Sequence, residues 1–235
     1  MSKLNFLKKN KFLYWIYKIQ KIYKNKKPNN HYAEFAEDVM VNRIFKNLSK
    51  GFYVDIGAYH PFKGSLTYNL YAKGWSGINF DLSKTSIDLF NIARSRDINI
   101  NCAISDFTGE TIYYENTAIN QQNSLINQNP NQKKIKVKSY QLNKILILNN
   151  INNIDYINID TEGNELRILK DIDFTKIQPY LFTIEDNSFD PDDVIKKEKI
   201  TFMAQKNYQL INIIGVTMFF VKKSKVAEIN EQIKI

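Results

Sequence analysis

Acidic side chains follow apolar stretches of this sequence at the points where buried strands are expected to end. They are Asp55, Asp81, Asp160 and the adjacent pair Glu185 and Asp186. Carboxylates can accept hydrogen bonds from amines and hydroxyls, take up a proton, or hold a divalent cation. These residues could therefore form one site, provided that the strands bearing them are neighbours.

The segments that must position these acids alternate between strand and helix patterns. In a mostly parallel, twisted sheet with helices on both faces, the carboxyl ends of the strands share one crevice. We therefore predict an α/β fold of this kind, closed by a C-terminal antiparallel hairpin in YQLINIIGVTMFFVKK. The predicted strands include 52–56, 76–81, 98–105, 109–115, 133–140, 154–160 and 179–185, and the predicted helices 32–48, 86–95, 142–150, 164–172 and 192–207.

The stretch GFYVDIGAYHP places Asp55 two residues before Gly57, at the end of the first predicted strand. A glycine there lets the backbone turn sharply and approach a ligand, while the acid suits an amine or a hydroxyl. Asp81, about 26 residues later, can bind both hydroxyls of a ribose. The third strand end, NCAISD, offers small side chains beside a flat ring. An amine, a ribose and an adenine together describe S-adenosylmethionine (SAM).

Six stretches follow one another in order across residues 32–221: YAEFAEDVMV, GFYVDIGAYHP, LYAKGWSGINFDL, CAISD, DYINIDTEGNELRILKDID and GVTMFFV. In this order and spacing the chain resembles the FkbM family of SAM-dependent O-methyltransferases. The resemblance implies a Rossmann-like class I methyltransferase domain, which we place at residues 31–235. The implied cofactor contacts are Asp55, Gly57 and Ala58 at the methionine part, Asp81 at the ribose, Cys102, Ala103 and Ser105 at the adenine, and Tyr59, Leu82 and Asp160 around them.

Two departures from the family pattern concern loops near this site. Many members carry GAN and a second glycine where this chain has Tyr59, His60 and Pro61. The early helix commonly reads Q-x-G-E-D, whereas here it is EFAED, with Ala36 in the glycine position. On the residues alone, Asp55 and Asp81 could also be caps of a turn and a helix, and Cys102 a buried apolar residue.

Transfer of a methyl group to a sugar hydroxyl requires removal of a proton from a weak acid, which a divalent cation would assist. By similarity to metal-dependent sugar and antibiotic O-methyltransferases, we expect Asp160, Glu185 and Asp186 to hold Mg²⁺ or Mn²⁺ and Glu162 to act as the base. His60 is the second candidate base. Alternatively, Glu162 caps the following helix and the Glu185–Asp186 pair only shapes a loop.

The net charge of +9 lies entirely in the N-terminal segment, because residues 1–27 contain nine lysines and no acid, which leaves 24 basic and 24 acidic residues elsewhere. The neutral remainder offers no broad basic face for a nucleic acid. Residues 1–30 are predicted to form a basic amphipathic helix and a linker. The apolar stripe of this helix comprises Phe12, Trp15, Ile16, Ile19, Ile22 and Tyr23. It could contact an anionic membrane surface, the body of the protein (residues 31–235), or a second subunit.

These observations predict a SAM-dependent O-methyltransferase that acts on a nucleotide-activated sugar or surface glycan, as in capsule or lipopolysaccharide assembly. The alternatives are methylation of a non-sugar natural product, or a membrane-docked glycan-binding module with degenerate catalysis. The polar segment 115–134 could close over the acceptor. With a single cysteine, Cys102, the chain has no internal disulfide, and we expect a cytoplasmic protein, with residues 1–27 as its candidate membrane contact and a homodimer as a further option.

Overall fold

Ten strands form two sheets in the computed structural model, which describes residues 10–24, 31–115, 125, 133–187, 190 and 193–233. The strands are β1 (Phe52–Ile56), β2 (Ser76–Asp81), β3 (Ile98–Asn101), β4 (Ala103–Ile104), β5 (Gly109–Glu115), β6 (Lys133–Tyr140), β7 (Tyr156–Ile159), β8 (Leu181–Glu185), β9 (Tyr208–Ile214) and β10 (Thr217–Lys222).

The larger sheet has the order β3-β2-β1-β7-β8-β10-β9. Its first five strands are parallel, and β10 runs antiparallel to both β8 and β9. The carboxyl ends of β1, β2, β7 and β8 therefore lie at one edge, with β1 paired to β2 on one side and to β7 on the other. The smaller sheet has the order β4-β6-β5.

Helices cover both faces of the larger sheet because its parallel strands carry apolar residues on both sides. The helices are α1 (Lys11–Lys24), α2 (Glu37–Ile44), α3 (Tyr68–Ala72), α4 (Lys84–Ala93), α5 (Leu142–Leu148), α6 (Glu165–Asp171), α7 (Val194–Gln205) and α8 (Val226–Ile233). Val54 faces α5, α6 and α7, whereas Tyr53 faces α2, α3 and α8. α4 lies against β2 and β3, and α1 lies against α4.

This architecture confirms the predicted α/β fold with a mostly parallel sheet, two helical layers and a C-terminal antiparallel hairpin. No helix in the described part of the chain combines the length and the apolar character that crossing a bilayer requires. Residues 1–9 and the predicted linker at 25–30 lie outside the described residues, as does most of the polar segment 115–134.

The prediction of one helix over 32–48 was wrong. α2 begins only at Glu37, because Asp38 accepts hydrogen bonds from the backbone N–H groups of Tyr32 and Ala33 and folds the preceding segment back as a turn. The apolar spacing of this segment predicts a buried face of Phe35, Val39, Ile44 or Phe45, and Leu48. Ile44 and Phe45 are buried as predicted, whereas Phe35, Val39 and Leu48 are exposed and Val41 is buried instead.

The third strand is also shorter than predicted. β3 ends at Asn101, whose side-chain amide donates to the backbone carbonyls of Asp81 (2.9 Å) and Leu82 (2.8 Å). The chain then leaves the larger sheet, and Ala103–Ile104 pairs with β6 in the smaller one. The residues expected beside a flat ring therefore lie on the connection between two sheets.

Candidate active site

Gly57 is the residue that allows β1 to turn at the edge of the sheet. Its φ is +85°, in the left-handed region, and a Cβ placed there would lie 1.6 Å from the backbone oxygen of Asp160. The N–H groups of Gly57 and Ala58 both donate to the carbonyl of Phe80, at 2.9 and 3.0 Å. The turn after β1 is thereby fixed against the ends of β2 and β7, which brings Asp81 and Asp160 to the same crevice.

Asp81 organises the loops on either side of that crevice. One carboxylate oxygen accepts from the N–H of Tyr59 (2.8 Å), and the other accepts from the N–H of Ser83 (2.7 Å). Burial raises the pKa of Asp81 to about 6. Ser83 caps α4, because its side chain accepts from the N–H of Ser86. The side chain of Ser86 also hydrogen-bonds to the carboxylate of Asp81, which still has lone-pair capacity with which it could accept a ligand hydroxyl.

The crevice is lined by seven of the ten predicted cofactor residues: Gly57, Tyr59, Asp81, Leu82, Cys102, Ala103 and Asp160. The remaining lining residues were not predicted, because they are apolar strand ends or lie on turns without a chemical signature. They are Ile56, Phe80, Ile104, Leu125, Thr161 and Asn164. We call this space the cofactor cleft.

Asp55 and Ala58 line a smaller adjoining pocket that reaches Asp160. Asp55 is buried, and burial raises the pKa of its carboxyl. Its oxygens accept from Thr67 Oγ1 (2.7 Å) and Asn158 Nδ2 (2.9 Å). Asp55 thus ties the end of β1 to β7 and to the segment before α3, in addition to lining this adjoining pocket.

Of the three residues predicted to flank an adenine, two line the cofactor cleft and one does not. Ala103 lines the cofactor cleft, and so does Cys102, whose thiol stays protonated because burial raises its pKa to about 12. Ser105 is not among the lining residues; its N–H donates to the carbonyl of Tyr140 and its hydroxyl to Asp106. The expectation for Ser105 is therefore corrected: β4 turns it into the smaller sheet.

Three carboxylates meet at the ends of β7 and β8. One oxygen each from Asp160, Glu162 and Glu185 lies within 4.8 Å of the others. Burial raises the pKa of all three groups, that of Glu162 to about 7, and the proximity of Glu185 raises the pKa of Asp160 and Glu162 further. The Oε2 atom of Glu185 is buried without a hydrogen-bond partner. We call these three residues the acid cluster.

The turn that carries Glu162 is held in a strained conformation. Glu162 has φ of +56°, which is uncommon for a residue with a side chain. Glu165 stabilises this turn, because its Oε1 accepts from the backbone N–H groups of Thr161 (3.1 Å) and Gly163 (2.9 Å). Asn187 donates to Glu162 Oε2 at 2.9 Å. Strain of this kind is most often retained at functional sites.

Asp186, predicted as a metal ligand, does not join the acid cluster. Adjacent residues leave a strand on opposite sides, and the buried Asp186 faces α7, where its carboxylate lies 3.2 Å from Lys199 Nζ and 3.9 Å from Lys196 Nζ. Lys199 also contacts Glu165 Oε2 (3.3 Å) and the carbonyl of Glu185 (2.9 Å). The geometry therefore replaces Asp186 by Glu162 in the carboxylate set.

His60 is not placed to act on a ligand in the cleft. It is buried, and its Nδ1 accepts from the N–H groups of Phe62 and Lys63, both at 3.1 Å. Burial lowers its pKa to about 4, opposed by a hydrogen bond with the backbone of Lys21 in α1. The second candidate base is thus a neutral imidazole that joins the loop after β1 to the N-terminal helix.

Comparisons with protein families and with solved structures identify proteins that are similar to this chain. The family model of the methyltransferase FkbM domain matches residues 55–210, which is well over half of the chain. No curated protein matches the sequence. Among solved structures, the chain is similar to the 1,6-didemethyltoxoflavin-N1-methyltransferase of Burkholderia thailandensis, with 11% identity, a TM-score of 0.44, and coverage of 87% of this chain and 84% of that one.

A second similar structure is the TehB-like SAM-dependent methyltransferase of Corynebacterium glutamicum, with 9% identity and a TM-score of 0.45. The similarity covers 89% of this chain and 96% of that one. At such distances neither structure carries a substrate or a mechanism over to this chain.

Proposed function

This chain belongs to the FkbM methyltransferase family, and we propose that it methylates a hydroxyl group of a sugar with the help of a divalent cation. As a family member it is a SAM-dependent methyltransferase. We assign SAM to the cofactor cleft, with Asp81 accepting from the ribose hydroxyls and the turn at Gly57 bordering the methionine part. When bound, SAM supplies an electrophilic methyl group.

The observation that carries the proposal is the acid cluster beside the cleft, with Asp160 a member of both. Three carboxylates suit a hard cation such as Mg²⁺ or Mn²⁺, and the unpartnered Glu185 Oε2 is an acceptor that a cation would satisfy. Asp160, Glu162 and Glu185 would hold the cation, which when bound would lower the pKa of a nearby hydroxyl.

The residues of this chain position the acceptor and take its proton. A bond forms between the acceptor oxygen and the methyl carbon, the bond from that carbon to the sulfonium sulfur breaks, and S-adenosylhomocysteine leaves. The hydroxyl proton passes to a carboxylate of the acid cluster. Glu162 can serve either as a cation ligand or as the base, and these two roles are separable by experiment.

A sugar acceptor is favoured by the second pocket that borders the acid cluster. Its lining is rich in groups that bind hydroxyls, among them Glu162, Glu185, Asn187 and Asp193. Asn187 already donates to Glu162, and Asp193 accepts from the N–H of Lys196, so sugar hydroxyls would use the remaining hydrogen-bonding capacity of these groups. We propose a nucleotide-activated sugar, such as a heptose, or a surface glycan of capsule or lipopolysaccharide as the acceptor class.

The test is release of S-adenosylhomocysteine by the purified protein with a panel of nucleotide sugars. We expect turnover with Mg²⁺ or Mn²⁺, loss of turnover in EDTA, and recovery when Mn²⁺ is restored. Glu185→Gln should weaken the response to Mn²⁺, whereas Asp88→Asn, at a partly buried acid of α4 that pairs with Lys84, should leave it unchanged. Turnover that persists in EDTA would overturn the metal assignment.

Glu162→Gln separates the two roles of that residue. If Glu162 is the base, kcat should fall by about 100-fold or more while the Mn²⁺ concentration for half-maximal turnover stays the same. If Glu162 is a ligand, that Mn²⁺ concentration should rise. Turnover only with a non-sugar hydroxyl compound would retain the chemistry and overturn the acceptor class.

A further inference from the structure

The contact between α1 and the body of the protein is narrow. It is centred on Ile22, which is 1% exposed and packs with Phe62 and Leu89. Tyr14 adds a contact of 3.4 Å between its hydroxyl and Thr85 Oγ1, and the backbone of Lys21 contacts His60. One flank of the helix is thereby attached to the body.

Half of the apolar stripe of α1 is exposed, whereas Ile16 and Ile19 are half-buried and Ile22 is buried. Phe12 is 66% exposed, Trp15 is 51% exposed and Tyr23 is 61% exposed. The rings of Phe12 and Trp15 stack on each other with centroids 6.4 Å apart, so they form one exposed aromatic patch. Exposed patches of large apolar side chains usually mark an interaction surface.

Positive charge surrounds this patch. Lys11, Lys21 and Lys24 are exposed on the same helix, and residues 1–27 hold nine lysines and no acid. We propose that the exposed face of α1 binds an anionic phospholipid surface, with Phe12 and Trp15 entering the headgroup layer and the lysines contacting lipid phosphates. Aromatic residues favour this layer, and lysines near an anionic leaflet add to the affinity.

Charge complementarity favours a lipid surface over a second copy of this chain. Outside residues 1–27 the chain has 24 basic and 24 acidic residues. The body of a second copy therefore has no net negative charge with which to attract the N-terminal segment, whose net charge is +9. An anionic bilayer presents both the negative surface and the apolar layer that this face requires.

Tryptophan fluorescence provides a local readout of the proposed contact. The chain has two tryptophans, and Trp75 is 0% exposed, so a change on adding vesicles reports Trp15. With vesicles that contain phosphatidylglycerol, we expect the emission maximum of Trp15 to shift to shorter wavelength and the protein to sediment with the vesicles. Added salt should weaken both effects. Vesicles of phosphatidylcholine alone should produce neither effect. Failure to bind the anionic vesicles, or equal binding to both kinds, would overturn the proposal.

Two variants separate the aromatic and the charged contributions. Phe12→Ser with Trp15→Ser keeps all lysines, and its co-sedimentation should fall by about 10-fold or more. Replacement of Lys11, Lys18, Lys21 and Lys24 by Gln keeps the aromatics and should cost about 100-fold or more in vesicle affinity.

The matched control is Ile147→Ser with Leu148→Ser, which removes two exposed apolar residues from α5. It should bind vesicles as the parent does, and circular dichroism should show that all three variants are folded. Sedimentation velocity without lipid completes the test: a dimer that disappears in the Phe12 and Trp15 variant would assign this face to a second copy and overturn the lipid proposal.

Discussion

Asp81 links two loops of the cofactor cleft through a single carboxylate. Asp81→Asn retains the size of the side chain but removes the charge that would strengthen hydrogen bonds from ribose hydroxyls. We expect the affinity for SAM to fall by about 10- to 100-fold, the range for loss of hydrogen bonds to a charged group. Isothermal titration calorimetry with SAM measures this, with Asp88→Asn as the control. Unchanged affinity would remove Asp81 from the ribose site.

Ala36 occupies a backbone conformation that suits glycine better. Its φ is +63°, in the position where the family commonly has glycine. Ala36→Gly should therefore stabilise the protein by about 0.5–1 kcal/mol, because the left-handed strain exceeds the added entropy of the unfolded chain. Ala204→Gly, the same change at an exposed position within α7, should destabilise it by a similar amount. Urea denaturation of both variants tests the opposite signs.

Single residues also show where sequence reasoning reached its limit. The position of Gly57 and Asp81 at the cleft could be predicted because both directly follow or end buried strands of one parallel sheet. Asp186 was misassigned because strand alternation sends it to the face opposite Glu185. The signal for this existed in the sequence: Lys196 and Lys199 are three residues apart on a predicted helix, and both contact Asp186.

At the scale of elements, the turns after the strands decide whether the site forms. Gly57 and Gly74 both have positive φ, of +85° and +102°, but only Gly57 has no room for a Cβ. Gly74→Ala should cost about 1–2 kcal/mol of stability through backbone strain alone and retain SAM binding. Gly57→Ala should cost more and abolish SAM binding, since the ends of β1 and β7 must separate. Thermal unfolding with and without SAM compares the two, and equal effects would contradict this reading of the turn.

The strands were easier to predict than the helices. Short apolar runs such as YINI, rich in β-branched and aromatic residues, indicate a strand that is buried on both faces. The start of α2 was predicted too early because the apolar pattern of residues 32–48 continues through a turn. Asp38 closes this turn by accepting hydrogen bonds from the N–H groups of Tyr32 and Ala33. α3 and α8 were not predicted; each is short, and their burial depends on tertiary contacts such as those of Leu70 and Ile229.

At the scale of the whole molecule, His60 connects the cleft-bordering loop to α1, and its titration should contribute to pH-dependent stability. Its pKa is about 4 when folded and near 6.5 when unfolded. Between these values the unfolded chain binds more protons, so stability falls as the pH drops through this window, by up to about 3 kcal/mol.

His60→Asn removes this contribution while offering the Phe62 and Lys63 N–H groups an acceptor. Because the buried carboxyls titrate in both proteins, the quantity to measure is the difference in unfolding free energy between parent and variant from pH 4 to pH 6.5. That difference should vary with pH. A constant difference would show that His60 is not held neutral in the folded protein.

The most direct test of the central claim follows the methyl group itself. SAM with an isotopically labelled methyl group is incubated with the protein, Mn²⁺ and the nucleotide-sugar panel, and the product is identified by NMR and mass spectrometry. The account predicts label in a methyl ether of a sugar, and no such product with Glu185→Gln. Label in an N-methyl or C-methyl group, or full product formation by Glu185→Gln, would contradict it.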